Sequence, residues 1–331
     1  MKHVVMLNEA RVSEVRPPAL LDRFRELSVA DATRWFPPAS LAEVPCPACG
    51  GRGPAAFTRF GFQYRRCAAC ASLYVSPRPS AAAVDEYYRE SEAARFRREY
   101  LTAETPERAE MLRERALWIG RVADEVLPAP RGAFADFGTT HHRLLHEVGS
   151  LAVFGAIQSV EPAPSAHLSV VRARAQVVEP APDSLSAAGA FELLEHQASP
   201  RALMERVHRA LAPGGVLFLT SRTCDGFDIT VLGERAPYIY VPEHLNLLSI
   251  EGVTRLLEAT GFRILELSTP GQLDVELVLQ VADADPGVAL PPFVEMLLRH
   301  RPVAARDDFQ QFLQRHLLSS HLRLTAVKEE S

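Results

Sequence analysis

Residues 201–220, RALMERVHRALAPGGVLFLT, decide the fold class of this chain. Apolar side chains recur at helical spacing over residues 201–211, which predicts an amphipathic helix. The Pro-Gly-Gly turn at 213–215 ends that helix, and the apolar run at 216–220 predicts a buried strand. A helix that leads through a tight turn into a buried strand is the repeating unit of an α/β sheet.

The same alternation extends to both sides of this unit, from about residue 132 to residue 267. Gly261 occupies the position at which a glycine commonly ends a helix. Alternating strands and helices imply an α/β fold, with a Rossmann-like parallel sheet and helices on both of its faces. Strands are predicted at 133–135, 152–160 and 263–267, a further strand end at 191–194, and helices at 144–148 and 251–260.

Prolines and shifts in composition divide the chain into five predicted segments. The first helix is predicted at 20–27, and the chain from Pro291 onward is predicted to be helical and amphipathic. The segments are an N-terminal arm at 1–42, a cysteine-containing module at 43–80, a helical linker of two helices at 81–127, the Rossmann-like domain at 128–270 and a C-terminal extension at 271–331.

Charge and hydropathy exclude several classes of protein. The formal net charge of −5 over 331 residues gives no general attraction to nucleic acid or to an anionic membrane, so neither partner is expected. No apolar run approaches the roughly 20 residues that would span a bilayer. Glu9 and Arg11 interrupt the only apolar stretch near the N-terminus, which argues against a signal peptide. We therefore expect a cytoplasmic protein, and both homo- and hetero-oligomers are compatible with the sequence.

Four of the five cysteines form two C-x2-C pairs, Cys46 with Cys49 and Cys67 with Cys70, separated by 17 residues. Two such pairs can complete a tetrahedral zinc site, so we call residues 43–80 the zinc ribbon. A site closed by four thiolates leaves no position for water, and the predicted zinc is therefore structural. The aromatic residues between 57 and 64 predict a small hairpin whose core is too small to fold without the metal.

Five further blocks follow one another in order: FADFG at 134–138, SVEP at 159–162, FELLEH at 191–196, APGGVLFLT at 212–220 and PEHL at 242–245. Together with the cysteine pairs they resemble the class I S-adenosylmethionine (SAM) methyltransferases that carry an N-terminal zinc ribbon. That group is found among enzymes that modify sugars and surface polysaccharides. The resemblance covers nearly everything after Cys46 and implies SAM-dependent methylation of a small, sugar-like or nucleotide-linked substrate.

The resemblance also implies roles for individual residues. Asp136 and Gly138 match the start of the family's glycine loop, and Glu161 matches the acid that accepts the ribose hydroxyls of SAM. Glu243 and His244 match a pair that faces the substrate. A histidine whose pKa lies near neutrality suits the removal of a proton from a hydroxyl or an activated carbon, so His244 is the expected general base.

Other polar residues near these blocks receive smaller roles. Glu195 and His196 are expected to shape the floor of the pocket or to pack at a strand end. A second metal site is suggested by His141, His142 and His146, because residues 142 and 146 lie four residues apart on a predicted helix. A solvated start of that helix explains them equally well, since no carboxylate motif accompanies them.

The cofactor loop departs from the family pattern. The family reads Asp-x-Gly-x-Gly-x-Gly, whereas residues 136–142 read DFGTTHH, so Thr140 and His142 replace two glycines. Each replacement costs roughly 1–3 kcal/mol if the backbone keeps glycine-like angles. The segment after Arg174 that would line adenine is also shortened. The cofactor site is therefore predicted to be partly degenerate.

Three hypotheses follow from these observations. The leading one is an active methyltransferase, in which the acids at 136 and 161 hold SAM. The second is a catalytically silent homologue that acts as a binding or scaffolding subunit. The third is a repurposed pocket in which His141 and His142 serve different chemistry.

Overall fold

The structure is a computed structural model that describes residues 2–3, 18–101, 105–138, 142–160, 176–177 and 179–329. The predictions for Thr140, His141 and Glu161 lie outside the described residues, and His142 is described only as the first residue of a helix.

Twelve strands occur in the described residues, and eight of them form one central sheet. In chain order they are β1 (Lys2–His3), β2 (Ala55–Arg59), β3 (Phe62–Arg66), β4 (Leu73–Val75), β5 (Ala133–Asp136), β6 (Ala156–Ser159), β7 (Gln176–Val177), β8 (Leu185–Phe191), β9 (Leu211–Arg222), β10 (Asn246–Leu247), β11 (Phe262–Ser268) and β12 (His321–Lys328). The central sheet has the order β1-β11-β12-β9-β8-β5-β6-β7. Only β12 runs antiparallel to its neighbours, which confirms the predicted Rossmann-like, largely parallel sheet.

The helices cover both faces of the sheet and several begin at a local capping residue. They are α1 (Pro18–Trp35), α2 (Ala81–Glu90), α3 (Glu92–Phe96), α4 (Pro106–Val126), α5 (His142–Ser150), α6 (Pro200–Ala210), α7 (Phe227–Leu232), α8 (Ile250–Glu258), α9 (Asp274–Ala284), α10 (Pro292–His300) and α11 (Val303–Arg315), with a π-helical turn at Arg97–Leu101. The side chains of Ser80, Thr105, Ser199 and Ser249 each accept a hydrogen bond from a backbone amide three residues later. Such caps satisfy amide groups that the helix itself leaves unpaired, so these starts are fixed by local sequence.

The end of the chain corrects one prediction. The segment from Pro291 is helical only as far as Arg315, and His321–Lys328 forms β12 between β9 and β11. Seven of the eight residues of β12 are buried, so this strand lies inside the sheet with both faces covered. The residues from His321 to Ala326 alternate between polar and apolar side chains, which is a strand pattern that the helical prediction for this segment overlooked. The residues after 270 therefore complete the central sheet.

Two shorter elements also differ from their predicted bounds. The first helix extends to Pro18–Trp35, and Ala32, beyond the predicted bounds, is buried in the same apolar cluster as Leu21 and Phe24. The strand predicted at 152–160 begins only at Ala156, because Ala152 has a positive φ of 52° in the preceding turn. A residue in the left-handed region interrupts the extended backbone that a strand requires.

The zinc ribbon forms a second sheet with the order β10-β4-β3-β2. Its strand β10 comes from the chain just after His244, far from the ribbon in sequence. Tyr64, Leu73 and Val75 are fully buried and belong to the same apolar cluster as residues of α1 and of the segment 238–247. The predicted hairpin, β2 with β3, is therefore packed against the rest of the protein through a shared core.

Candidate active site

The direction of strand addition reverses between β5 and β8. From β5 the chain adds β6 and β7 on one side, whereas β8 and β9 lie on the other side. The carboxyl ends of two such strands leave a crevice, which is where ligands bind in open α/β sheets. Asp136 ends β5 and Phe191 ends β8, so the residues that follow them line this crevice.

Two of the predicted cofactor residues meet at the carboxyl end of β5. The Asp136 carboxylate accepts a hydrogen bond from the Gly138 amide at 3.1 Å. Burial raises the pKa of Asp136 to about 6, although the Gly138 amide and the nearby Arg115 charge oppose this rise. A Cβ on Gly138 would lie 3.4 Å from the carbonyl oxygen of Phe191, so the loop passes close to the end of β8. Ser159, the last residue of β6, is the sheet partner of Asp136.

Glu192, the first residue after β8, has a left-handed backbone with a φ of 49°. Non-glycine residues in that region are uncommon and cluster at functional sites. Its carboxylate lies 3.7 Å from Arg115 Nη2 and 3.5 Å from His321 Nδ1, and the side chain is 34% exposed. Burial alone would raise the pKa of Glu192, but His321 and Arg115 lower it below its usual range.

Arg115 reaches the same crevice from α4. Its side chain is only 5% exposed, and the guanidinium lies 5.0 Å from the centre of the Phe191 ring. Its Nη1 atom is buried, and no hydrogen-bond partner for it exists among the described residues. The sequence alone indicates no role for Arg115 or Glu192, because their proximity at this crevice arises only when the sheet is assembled.

Two histidines, His196 in the turn after β8 and His244, have ring centres 5.2 Å apart. His196 follows β8 in a short turn, and its Nδ1 lies 2.9 Å from the Glu243 carbonyl oxygen. Its Nδ1 also lies 3.0 Å from the Tyr88 hydroxyl, which can accept or donate. Because a carbonyl can only accept, the tautomer that satisfies both contacts carries its proton on Nδ1 and has Nε2 as its basic nitrogen. His244 has the opposite arrangement, because its Nδ1 accepts a hydrogen bond from the Tyr240 amide at 3.2 Å. Its proton is therefore on Nε2.

Glu243 is almost fully buried, and its carboxylate forms an ion pair with Arg97 Nη1 at 2.5 Å. Burial opposes the charge of Arg97, but Glu243 and neighbouring tyrosines raise the pKa of Arg97 above its usual range. Glu243 thus ties the π-helical turn 97–101 to the loop 242–245, while its backbone carbonyl orients His196. A carboxylate held in this way serves to position its neighbours.

Glu195 connects the ends of β8 and β9. Its carboxyl accepts hydrogen bonds from the Ser221 hydroxyl at 2.8 Å and from the Arg222 amide at 3.3 Å. Burial, together with the nearby Glu192 charge, raises the pKa of Glu195 to about 8. The backbone carbonyl of Glu195 accepts a hydrogen bond from the Leu245 amide at 2.8 Å, so this residue also fixes the loop that carries His244.

The zinc ribbon holds the same loop from its other side. The Tyr64 hydroxyl donates a hydrogen bond to the His244 carbonyl, and the Val75 amide donates to the Leu245 carbonyl at 2.9 Å. The Arg78 guanidinium donates to the Asn246 side chain at 3.0 Å. The predicted catalytic loop is therefore a strand partner of the ribbon.

The four ribbon cysteines form a candidate metal centre. Their sulfur atoms all lie within 4.8 Å of one another, and three pairs are 3.5–3.7 Å apart. Tetrahedral zinc with Zn–S bonds of 2.3 Å places its sulfurs about 3.8 Å apart, so these residues fit zinc. Gly50 and Ala71, each directly after one cysteine pair, have positive φ values of 74° and 60° that turn the chain around the site.

The second cysteine pair is attached to the start of α8. The Ser249 hydroxyl donates to the Cys70 carbonyl, and the Ser249 amide donates to the Ser72 hydroxyl at 3.0 Å. A Cβ on Gly252 would overlap the Ser72 hydroxyl, so glycine is required at this contact. Within the described parts of the chain, the four cysteines are the only group of side chains with metal-ligand geometry. His146 is exposed on α5.

The residues of the crevice fit SAM. Gly138 leaves open the space that a Cβ would fill beside the end of β8. The carboxyl groups of Asp136 and Glu192 suit a cofactor that carries a sulfonium and an ammonium cation.

No helix within the described ranges is long and apolar enough to cross a membrane.

Residues 93–267, more than half of this chain, match a family model described as a methyltransferase domain. A structure of the plantazolicin methyltransferase BpumL in complex with SAH is similar at 10% identity, over 75% of this chain and 94% of that chain, with a TM-score of 0.45. Phosphoethanolamine N-methyltransferase 2 of Haemonchus contortus in complex with S-adenosyl-L-methionine is 19% identical over 66% and 53% of the chains, with a TM-score of 0.42. No curated protein was found to match. The family match confirms the predicted methyltransferase fold and the predicted methyl-transfer enzyme class.

Proposed function

This chain belongs to the family of methyltransferase domains, and we propose that it methylates a hydroxyl or an activated carbon of a small, sugar-like or nucleotide-linked substrate. Bound SAM supplies an electrophilic methyl group, and the acceptor atom becomes nucleophilic when it loses its proton. The proposal is carried by the pair His196 and His244, whose rings lie 5.2 Å apart, with His196 in the turn that follows β8.

The hydrogen bonds support different roles for the two histidines. His196 keeps a lone pair on Nε2, so in the neutral state it can take the proton of the acceptor and become an imidazolium. His244 keeps its proton on Nε2, so it can donate a hydrogen bond to an oxygen next to the acceptor. The resemblance had placed the general base at His244, whereas the tautomers favour His196 as the base and His244 as the donor.

Glu243 acts on these histidines without giving or taking a proton itself. Its carboxylate is engaged by Arg97, and its carbonyl orients His196. Asp136 and Gly138 form the near wall of the cofactor crevice. Glu161, two residues after β6, is proposed to accept the ribose hydroxyls of SAM.

The test combines cofactor binding with transfer to a panel of nucleotide-linked sugars. Calorimetry on the purified protein should detect binding of S-adenosylhomocysteine, and methyl-labelled SAM should label at least one sugar of the panel. His196→Gln should abolish the labelling and leave the affinity for S-adenosylhomocysteine within about twofold. His300→Gln, at an exposed histidine at the end of α10, is the matched control. A wild-type protein that binds no S-adenosylhomocysteine at millimolar concentration would refute the proposal.

A further inference from the structure

Arg115 is an unusual cation in this site. Its side chain is only 5% exposed, yet its buried Nη1 atom lacks a hydrogen-bond partner among the described residues. Its ion-pair distance to Glu192, 3.7 Å, is too long for a hydrogen bond between the two groups. A buried guanidinium with an unused donor costs free energy unless a ligand completes it, so this atom points to an anionic ligand group.

The neighbours of Arg115 hold its guanidinium in one place. The Phe191 ring lies 5.0 Å from it, which suits a cation–π contact. That ring folds back over Gly189, where any Cβ would overlap it. The glycine in β8 therefore permits the ring position, and the ring supports the guanidinium at the carboxyl edge of the sheet.

Glu192 supplies the opposite charge next to Arg115. Its side chain is 34% exposed, and its carboxylate lies 3.7 Å from Arg115 Nη2 and 3.5 Å from His321 Nδ1. Its carboxylate remains ionised because His321 and Arg115 lower its pKa. The crevice thus presents one cation and one anion side by side, which is the pattern that recognises an α-amino acid zwitterion.

We propose that Arg115 and Glu192 bind the amino-acid end of SAM, with Arg115 donating to the α-carboxylate and Glu192 accepting from the α-ammonium. This inference rests on the proposed function, since it assigns residues to the same cofactor crevice. It also explains how the cofactor is held although Thr140 and His142 replace two glycines of the family loop. The amino-acid end is held by one side chain of α4 and by the side chain of the first residue after β8.

The experiment compares cofactor analogues by calorimetry. S-adenosylhomocysteine carries both charges, decarboxylated SAM lacks the carboxylate, and 5′-methylthioadenosine lacks the whole amino-acid end. Arg115→Gln should weaken S-adenosylhomocysteine binding by about 10- to 100-fold, as expected for one lost charge-assisted contact. It should leave the affinity for 5′-methylthioadenosine unchanged. Arg113→Gln, at an exposed arginine two residues away on α4, should affect neither ligand.

The wild-type protein gives a second test that needs no variant. It should bind decarboxylated SAM more weakly than SAM by a similar factor, and Arg115→Gln should add no further loss for that ligand. Equal weakening of S-adenosylhomocysteine and 5′-methylthioadenosine in Arg115→Gln would assign Arg115 a purely structural role and overturn the inference. Unchanged binding of both ligands in Arg115→Gln would also overturn the inference. In these cases the wild type still binds, and the proposed function stands. A wild type that binds none of the ligands removes both proposals.

Discussion

Replacing Glu195 by glutamine should make the stability of this protein less sensitive to pH. The carboxyl is 2% exposed, and its pKa is raised from 4.5 to about 8 in the folded protein. In the unfolded chain the group ionises near pH 4.5, whereas in the folded protein it stays protonated until about pH 8. Unfolding therefore releases a proton in this window, and stability falls as the pH rises through it.

The size of the effect follows from the shift in pKa. Each pH unit between 4.5 and about 8 weakens folding by up to about 1.4 kcal/mol, so the full cost at pH 8 is on the order of 5 kcal/mol. Glutamine has the shape of the protonated acid and can keep both contacts, because its Oε1 can accept from the Arg222 amide and its Nε2 can donate to the Ser221 hydroxyl oxygen. Glu195→Gln should therefore match the wild type near pH 5 and exceed it by several kcal/mol at pH 8.

Urea unfolding at four pH values between 5 and 8 measures this difference directly. Burial also raises the pKa values of Asp136 and Asp228, but their contributions occur in both proteins and cancel. Glu258→Gln, at an exposed carboxylate on α8, is the control and should show no such trend. A difference that stays constant across the range, or that favours the wild type as the pH rises, would show that Glu195 is ionised in the folded protein.

Four further predictions concern the ribbon and the loop. Metal analysis should find about one zinc per chain, and its removal by a chelator should shift the ring ¹⁵N signals of His244, because β10 pairs with the ribbon strand β4. Tyr64→Phe should cost about 1 kcal/mol in urea unfolding and shift the same signals, since it removes the hydrogen bond to the His244 carbonyl. Gly252→Ala should destabilise the protein by about 1–3 kcal/mol in thermal unfolding, because its Cβ would overlap the serine hydroxyl beside the second cysteine pair. Restoring glycine at Thr140 and His142 together should raise the affinity for SAM in calorimetry, and an unchanged affinity would show that the two side chains do not obstruct the pocket.

Much of the scaffold could be predicted because its signals are local. The helix at Pro200–Ala210 and the strand that follows it lie within a residue or a few residues of the pattern in 201–220. The four cysteines meet because each C-x2-C pair is a self-contained turn, and the two pairs are joined by a short hairpin. The position of Asp136 at a strand end was equally readable, since apolar runs mark where strands stop. The division into five segments stays a prediction.

The site could be predicted only in part. His244 and Glu243 were found by resemblance, but the ion pair of Glu243 with Arg97 joins residues 146 positions apart and leaves no mark in sequence. The tautomers of His196 and His244 depend on backbone groups that the fold brings to their Nδ1 atoms. In sequence, Arg115 does not differ from the other arginines of an amphipathic helix. Its role depends on the end of β8, which lies beside it only in the folded protein.

The sequence by itself determined the elements of this protein: the Rossmann-like alternation, the metal-binding knuckles and the order of the methyltransferase blocks. Hydrophobic periodicity, helix capping and cysteine spacing each depend on residues close together in sequence. The elements that they specify can therefore be predicted without knowing how the chain packs. Tertiary structure alone decided that β12 pairs with β9 and β11 in the central sheet and that β10 pairs with the ribbon strand β4. It also decided that a cation and an anion face one crevice. These arrangements depend on which apolar surfaces and which unpaired backbone groups come into contact. Such contacts join segments that are far apart in sequence, so they form only when the whole chain folds.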